Sequence, residues 1–309
     1  MINGHFETVI PSIFFRVEGL AYQRERLELD DGDFIDLDWI KNGSRRLMVL
    51  SHGLEGNSGR HYILRPAKLF SNRGWDILAW NNRSCSGEMN RLPRFYHHGA
   101  TEDISAVIDY ALQGEYDELV LVGFSMGGGM QQKYLGERQI DDRIKGAMSF
   151  SVPCNVLDSA VELSKSWNRY YEKRFISKLK KKILSKSEAM ELPIDLEEVK
   201  AVNNFKELDK AFTVKIHTEY QDPQDFYEKI TSDQFLPNID IPLLIVNAEN
   251  DPMLGEKCYP VQLASGSKNI YLEIPKRGGH VGFALPNSKE YSYMEYAQER
   301  FLEEVIRLS

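Results

Sequence analysis

No stretch of this 309-residue chain approaches the roughly 18 consecutive apolar residues that a membrane-spanning helix needs. No transmembrane segment is therefore expected. The opening Met1-Ile2-Asn3-Gly4-His5, with Glu7 ahead of any apolar run, lacks the features of a signal peptide, so a cytoplasmic location is the expectation. Cysteine is scarce. Cys85, Cys154 and Cys258 lie far apart and form neither a disulfide framework nor a metal-ligand spacing, which fits a reducing compartment. No Gly-x-Gly-x-x-Gly follows a strand, and no cluster of His, Asp and Cys has ligand spacing, so neither a nucleotide cofactor nor a metal is expected. Positive charge is also in deficit: a formal net charge of -8 argues against a nucleic-acid partner. Internal repeats, low-complexity tracts and interdomain linkers are absent from the pattern.

What is present is an alternation of short apolar runs and helical segments. Residues 24–29 and 34–39 alternate polar and apolar around Asp31-Gly32-Asp33 and predict a hairpin with one wet face. Strand-like, mostly apolar runs follow at Leu47–Leu50, Trp75–Trp80, Leu119–Val122, Ile144–Val152, Ile241–Asn247 and Asn269–Pro275, with helices predicted between several of them. This order predicts an α/β fold, a mostly parallel central sheet flanked by helices, in one domain spanning 1–309. Between Pro153 and the run at Ile241 the rhythm breaks. Residues 156–235 predict a helical cap inserted at the rim of the sheet, with helices over 157–184 and 196–208. Between Lys165 and Lys186 this insertion carries nine Lys or Arg with Trp167, Tyr170, Tyr171 and Phe175 interleaved. That run reads as a solvated helical face or, more sharply, as a basic outer surface making weak peripheral contact with anionic lipid.

The chain's most informative stretch is Leu119-Val120-Leu121-Val122-Gly123-Phe124-Ser125-Met126-Gly127. An apolar strand running into Gly-x-Ser-x-Gly and then a helix is the nucleophile elbow of α/β-hydrolases: the serine sits on a sharp turn with its hydroxyl exposed at a helix N-terminus. A serine needs a base, and the base needs an orienting acid, in the chain order Ser, acid, His. Only His217 and His280 follow Ser125. His217 falls within the insertion, whereas His280 follows the last strand on a glycine loop, and is the expected base. Asp251, at the end of the preceding strand, is the expected acid, with Glu249 and Asp158 as competitors. The oxyanion donors are expected to be the backbone N–H groups of Met126 and of Leu54, the latter from the loop Ser51-His52-Gly53-Leu54-Glu55-Gly56. His52 is expected to hold a loop; His97 and His98 are expected at the surface or behind the site.

Beyond the elbow, several segments recur together. These are Gly4-His5-Phe6-Glu7-Thr8, Asp31-Gly32-Asp33-Phe34, His52-Gly53-Leu54-Glu55-Gly56, Asn82-Arg83-Ser84-Cys85-Ser86-Gly87, Lys133-Tyr134-Leu135-Gly136-Glu137 and Gly279-His280-Val281-Gly282-Phe283. With these the chain resembles, nearly end to end, the YheT/EMB8-like branch of the α/β-hydrolase superfamily, which includes the animal ABHD phospholipase-like proteins. It departs from that pattern at Phe6-Glu7, where Leu-Gln is usual, and at Ser84, where glycine is usual. The resemblance implies a carboxylic ester hydrolase with Ser125, Asp251 and His280 as its triad. It also implies small-molecule or lipid esters as substrates, including short- to medium-chain acyl esters. Alcohol acyl transfer or phospholipid hydrolysis on the same triad, and a non-catalytic binding protein on the same fold, are the alternatives. A monomer is expected.

Overall fold

In the computed structural model, residues 2–285 and 291–308 are described. The apolar runs pair as eight strands among these residues: β1 (Gln23–Glu28), β2 (Phe34–Ile40), β3 (Arg46–Ser51), β4 (Asp76–Asn81), β5 (Glu118–Phe124), β6 (Ile144–Phe150), β7 (Leu243–Val246) and β8 (Ile270–Glu273). Their order across the sheet is β1-β2-β4-β3-β5-β6-β7-β8. The hairpin strands β1 and β2 pair antiparallel, β2 meets β4 antiparallel, and every later pairing is parallel. Parallel strands joined by crossover helices are covered on both faces, which is why β3 and β5 carry unbroken apolar runs, Leu47–Leu50 and Leu119–Val122, instead of alternating. Their side chains divide between two cores. Leu47, Val49, Leu119 and Leu121 pack on one face with α3 (Thr101–Ala111) and α4 (Met126–Glu137). Met48, Leu50, Val120 and Val122 pack on the other with α2 (His61–Ser71) and the C-terminal helix Tyr293–Phe301.

Residues at the N-terminus form α1 (Ile2–Phe14). Between β6 and β7 the chain is helical without a strand: α5 (Val156–Ser164), α6 (Arg169–Ala189), α7 (Leu196–Ala201), α8 (Phe205–Leu208), α9 (Val214–Ile216) and α10 (Pro223–Ile230), with short non-α turns between them. The helix expected over 157–184 is two helices. The break falls at Asn168, whose side-chain amide donates to the carbonyls of Glu162 at 3.0 Å and Pro252 at 2.6 Å instead of continuing the turn. The helix expected over 196–208 also breaks, because Asn204 starts a new one by accepting from Glu207 N–H at 2.9 Å. Thr101 does not cap α3; its hydroxyl bonds the Glu137 carboxylate and Ala100 holds the cap position.

The basic run of the insertion is not uniformly an outer face. Lys186 is fully buried against the Phe95 ring and donates to Asn90 Oδ1, and Lys182 donates to Glu55 Oε1 at 2.6 Å. Asn90 in turn donates to Asp33 at 2.6 Å, within a buried network centred on Arg83. The Arg83 guanidinium grips Asp103 in a fork at 2.7–3.1 Å and reaches Asp31 at 2.7 Å and Asp33 at 3.0 Å. The loop after β4, the β1–β2 hairpin and α3 therefore share one cation. Arg83→Met would leave the Asp33 and Asp103 carboxylates buried beside an apolar chain. It is expected to destabilise the fold by about 3–5 kcal/mol, read as a fall in the midpoint of urea unfolding.

Candidate active site

Ser125 sits between β5 and α4 with φ 54° and ψ −123°, a left-handed conformation that a serine holds only under constraint. Three glycines make that turn possible by letting backbone approach backbone. A Cβ on Gly123 would lie 2.6 Å from Gly128 Cα, and one on Gly127 would lie 2.5 Å from the Ser51 carbonyl. A Cβ on Gly53 would lie 2.9 Å from Ser125 Cβ, so the loop after β3 passes directly over the serine. The N–H groups of Leu54, next in that loop, and of Met126, at the start of α4, have no protein acceptor among the described residues.

His280 and Asp251 come from the loops after β8 and β7. His280 Nε2 lies 2.9 Å from Ser125 Oγ, and His280 Nδ1 lies 2.8 Å from Asp251 Oδ2. A carboxylate can only accept, so Nδ1 carries the ring proton and Nε2 is the acceptor for the serine O–H. Asp251 Oδ1 accepts from Met253 N–H at 2.9 Å, which fixes the carboxylate plane. Such a hydroxyl–imidazole–carboxylate chain can move a proton off the serine and deliver it to a leaving group.

The loop that carries His280 is held by residues outside the expected triad. Thr8 Oγ1 accepts from His280 N–H at 2.9 Å. Glu7 accepts from Gly278 N–H at 3.0 Å and from the Asn250 amide at 2.7 Å, while Asn250 Oδ1 accepts from Gly279 N–H at 3.0 Å. Thus α1 clamps the loops after β7 and β8 together. The segment Gly4–Thr8 was legible as part of a resemblance, but its role required the fold.

The remaining candidates separate cleanly. His52 is buried; its Nε2 accepts from Asn82 N–H at 3.0 Å, which puts the proton on Nδ1, 2.7 Å from the Gly53 carbonyl. Burial lowers its pKa to about 4, so it is a neutral peg for the Gly53 loop. Glu249 is exposed, and Asp158 is engaged with Lys257 N–H at 2.9 Å. His97 is buried and His98 half-buried, and both line a cavity of about 130 Å³ that also exposes Ser125 and His280. Its wall is otherwise largely apolar, with Val156, Leu179, Ile183 and Phe212 from the insertion. A second cavity, of about 320 Å³, meets the same serine and histidine from the side of α1 and carries Arg60, Arg174 and Lys178.

One group among the described residues, His97, His217 and Glu219, brings three metal-ligating types together, with ligand atoms within 4.8 Å of one another. It does not fit an ion. Gly99 N–H donates to His97 Nδ1 at 3.0 Å, so in the neutral ring Nε2 holds the proton and neither nitrogen offers a free lone pair.

Because Thr8 acts on His280 through one backbone bond, Thr8→Val is expected to slow fluorophosphonate labelling of Ser125 about tenfold. Thr8→Ser should retain most of the rate. Equal rates for wild type and Thr8→Val would remove Thr8 from the positioning of His280.

Comparison with known proteins agrees with this architecture. A family model described as alpha/beta hydrolase fold matches residues 46–285. The putative esterase YheT of Escherichia coli K12 is 33% identical over 289 residues, covering 91% of this chain and 84% of that protein. Phospholipase ABHD3 of Bos taurus is 28% identical, covering 93% of this chain and 72% of its own length. Among solved structures, the Pyrococcus furiosus esterase Pf2001 superposes with a TM-score of 0.60 at 16% identity, covering 93% of this chain and 97% of that one. The sheet order, the elbow and the matched span all lead to one assignment: the chain belongs to the α/β-hydrolase fold family.

Proposed function

We propose that this protein is a serine hydrolase that cleaves carboxylic esters through an acyl-enzyme. The observation that carries the reading is the hydrogen-bonded chain Ser125–His280–Asp251 at the meeting point of two cavities, beside two unpartnered N–H groups. In this mechanism His280 Nε2 takes the Ser125 proton as Oγ attacks the acyl carbonyl. The N–H groups of Leu54 and Met126 receive the developing oxyanion, and each such donor is worth about 3–4 kcal/mol in the transition state. Asp251 holds the imidazole in the required tautomer. The imidazolium returns the proton to the departing alcohol, and water then repeats the sequence to release the acid. The 156–235 insertion acts as a lid, and the apolar cavity beneath it receives the acyl chain. Short- to medium-chain esters are the substrate class we favour. The three cysteines are unpaired and buried, which accords with the cytoplasmic location we propose.

A phospholipid reading has a separate observation behind it. The second cavity brings Arg60, Arg174 and Lys178 to the alcohol side of the serine, where a phosphate would sit. Near it Trp167 and Tyr170 stand exposed beside Lys165 and Arg169 on the insertion. No helix among the described residues is long and apolar enough to cross a membrane, so contact with lipid would be peripheral, through these groups.

Ser125→Ala is expected to lower kcat/KM for nitrophenyl esters by at least about 10⁴-fold and to abolish fluorophosphonate labelling. An unchanged rate would reject the nucleophile, and a folded wild-type protein that never labels would favour a binding role. Added alcohol separates hydrolysis from acyl transfer by the ester product formed. On vesicles, hydrolysis should favour anionic over zwitterionic lipid, and the preference should shrink as salt rises. Equal rates on the two vesicle types would reject the membrane-facing role.

A further inference from the structure

The helix that seats the His280 loop has a second face. On α1, Gly4, Thr8 and Pro11 follow one another at i, i+4 and i+7 and are buried against the body of the protein. Phe6, Ile10, Ile13 and Phe14 form a stripe on the opposite side at the same kind of spacing, and they are 57%, 45%, 50% and 70% exposed. A surface helix ordinarily turns its apolar stripe inward; here four large apolar side chains face out, which marks an interaction surface. Glu7 is the only acidic residue of the helix, and Lys and Arg are absent from it. The Glu7 carboxylate is taken up by Gly278 N–H and the Asn250 amide.

Between the buried and the exposed faces, Val9 and Ser12 line the cavity of about 320 Å³ that reaches Ser125 and His280, and Arg16 follows just past the helix end. Arg174 and Lys178 line the same cavity from α6. Neither they nor Arg16 makes an ion pair or a hydrogen bond among the described residues. Tyr171 fastens α6 to α1, its hydroxyl 3.1 Å from His5 Nδ1 and the two rings stacked. Tyr170, in ring contact with Tyr171, is exposed. The cavity thus runs between α1 and α6, with the apolar stripe on the next face of α1.

A partner for this surface has to meet hydrocarbon side chains and unpaired cations together. An anionic bilayer offers both, negative charge at its head groups and hydrocarbon just below them. A second copy of the chain fits less well. With about 150–250 Å² for a whole aromatic side chain, the exposed parts of four residues fall short of the roughly 800 Å² that each partner gives a stable interface. A two-fold contact would also set the same cations face to face. We propose that α1 is a lipid-docking helix: Phe6, Ile10, Ile13 and Phe14 enter the head-group boundary of an anionic membrane beside the passage to Ser125. The docking surface is α1 itself, distinct from Trp167 and Tyr170 of the insertion. Only its consequence, that a lipid ester enters the cavity from the bilayer, rests on the ester-hydrolase reading.

The test is flotation of the full chain with vesicles of phosphatidylcholine, with and without phosphatidylglycerol. Wild type should float with the anionic vesicles, and Ile13→Gln combined with Phe14→Gln should bind them at least about tenfold more weakly. A polarity-sensitive dye on Phe14→Cys should shift to the blue on those vesicles. The same dye on Val261→Cys, an equally exposed apolar position outside this cavity, should not. If the double variant fails to fold, the two dye positions decide. No flotation of wild type, equal binding by the double variant, or equal dye shifts at the two positions would overturn the proposal. So would a dimer in light scattering that the double variant loses, with no vesicle binding, since the stripe would then join two copies. Flotation needs no catalysis, so a Ser125 that never labels on a chain that still docks through α1 would remove the ester-hydrolase reading and leave the docking helix.

Discussion

Two strands, β3 and β5, end at nearly the same place, and the backbone there is too crowded for side chains. Gly53 against Ser125, Gly127 against the Ser51 carbonyl and Gly123 against Gly128 all stand closer than a Cβ allows. This crowding sets the whole site. It forces Ser125 into a left-handed turn that projects its hydroxyl and frees the first N–H of α4. It also brings the loop after β3, with Leu54 next to Gly53, directly over the serine. Parallel pairing of β3 with β5, in register Ser51 to Gly123, is what delivers the two loops to one rim. Larger residues at these glycines would have to part the sheet before they could disturb the chemistry.

The helical insertion is tied to that rim by charge. Its long helix α6 has an acidic-poor, lysine-rich sequence, yet Lys182 and Lys186 face inward, to Glu55 and Asn90. Desolvation lowers the Lys186 pKa to about 8. Its ammonium is stabilised by the nearby Asp33 carboxylate, which belongs to the Arg83 network. The insertion and the β1–β2 hairpin therefore meet through the loop after β4. At the opposite end of α6, Asn168 bonds the carbonyl of Pro252, next to Asp251. The insertion is thus pinned at both ends to loops that carry or support site residues, and the exposed lysines lie between those pins.

Much of this was legible because it obeys local rules. The strand–Gly-x-Ser-x-Gly–helix pattern, the order of the apolar runs and a histidine on a glycine loop each follow from periodicity or turn chemistry. The residues that sequence reading misplaced are those whose partners are distant in the chain. Lys186 looks like any lysine on an amphipathic helix until it meets Asn90, 96 positions away. His97 and His98 fall in a long polar loop, which suggests solvent, but the insertion folds over them and turns them into a cavity wall. The break at Asn168 has the same origin, since a helix-compatible sequence yields to a tertiary hydrogen bond worth more than one extra turn.

The sharpest case is the placement of acid and base. Asp251 and His280 follow adjacent parallel strands, β7 and β8, and that adjacency alone brings the two loops near each other. It does not fix an imidazole to within hydrogen-bonding distance of both Ser125 and Asp251. The fixing comes from α1, at the other end of the chain: Thr8 reaches the His280 amide across 272 positions and Glu7 reaches Gly278 across 271. A Cβ on Gly279 or Gly282 would strike the α1 backbone, so the loop is seated against this helix by shape as well as by hydrogen bonds. The β-sheet therefore supplies the neighbourhood and the N-terminal helix supplies the register of the His280 loop. This division of labour accounts for the Gly4–Thr8 segment, whose polar residues look idle in the sequence and are fully engaged in the fold.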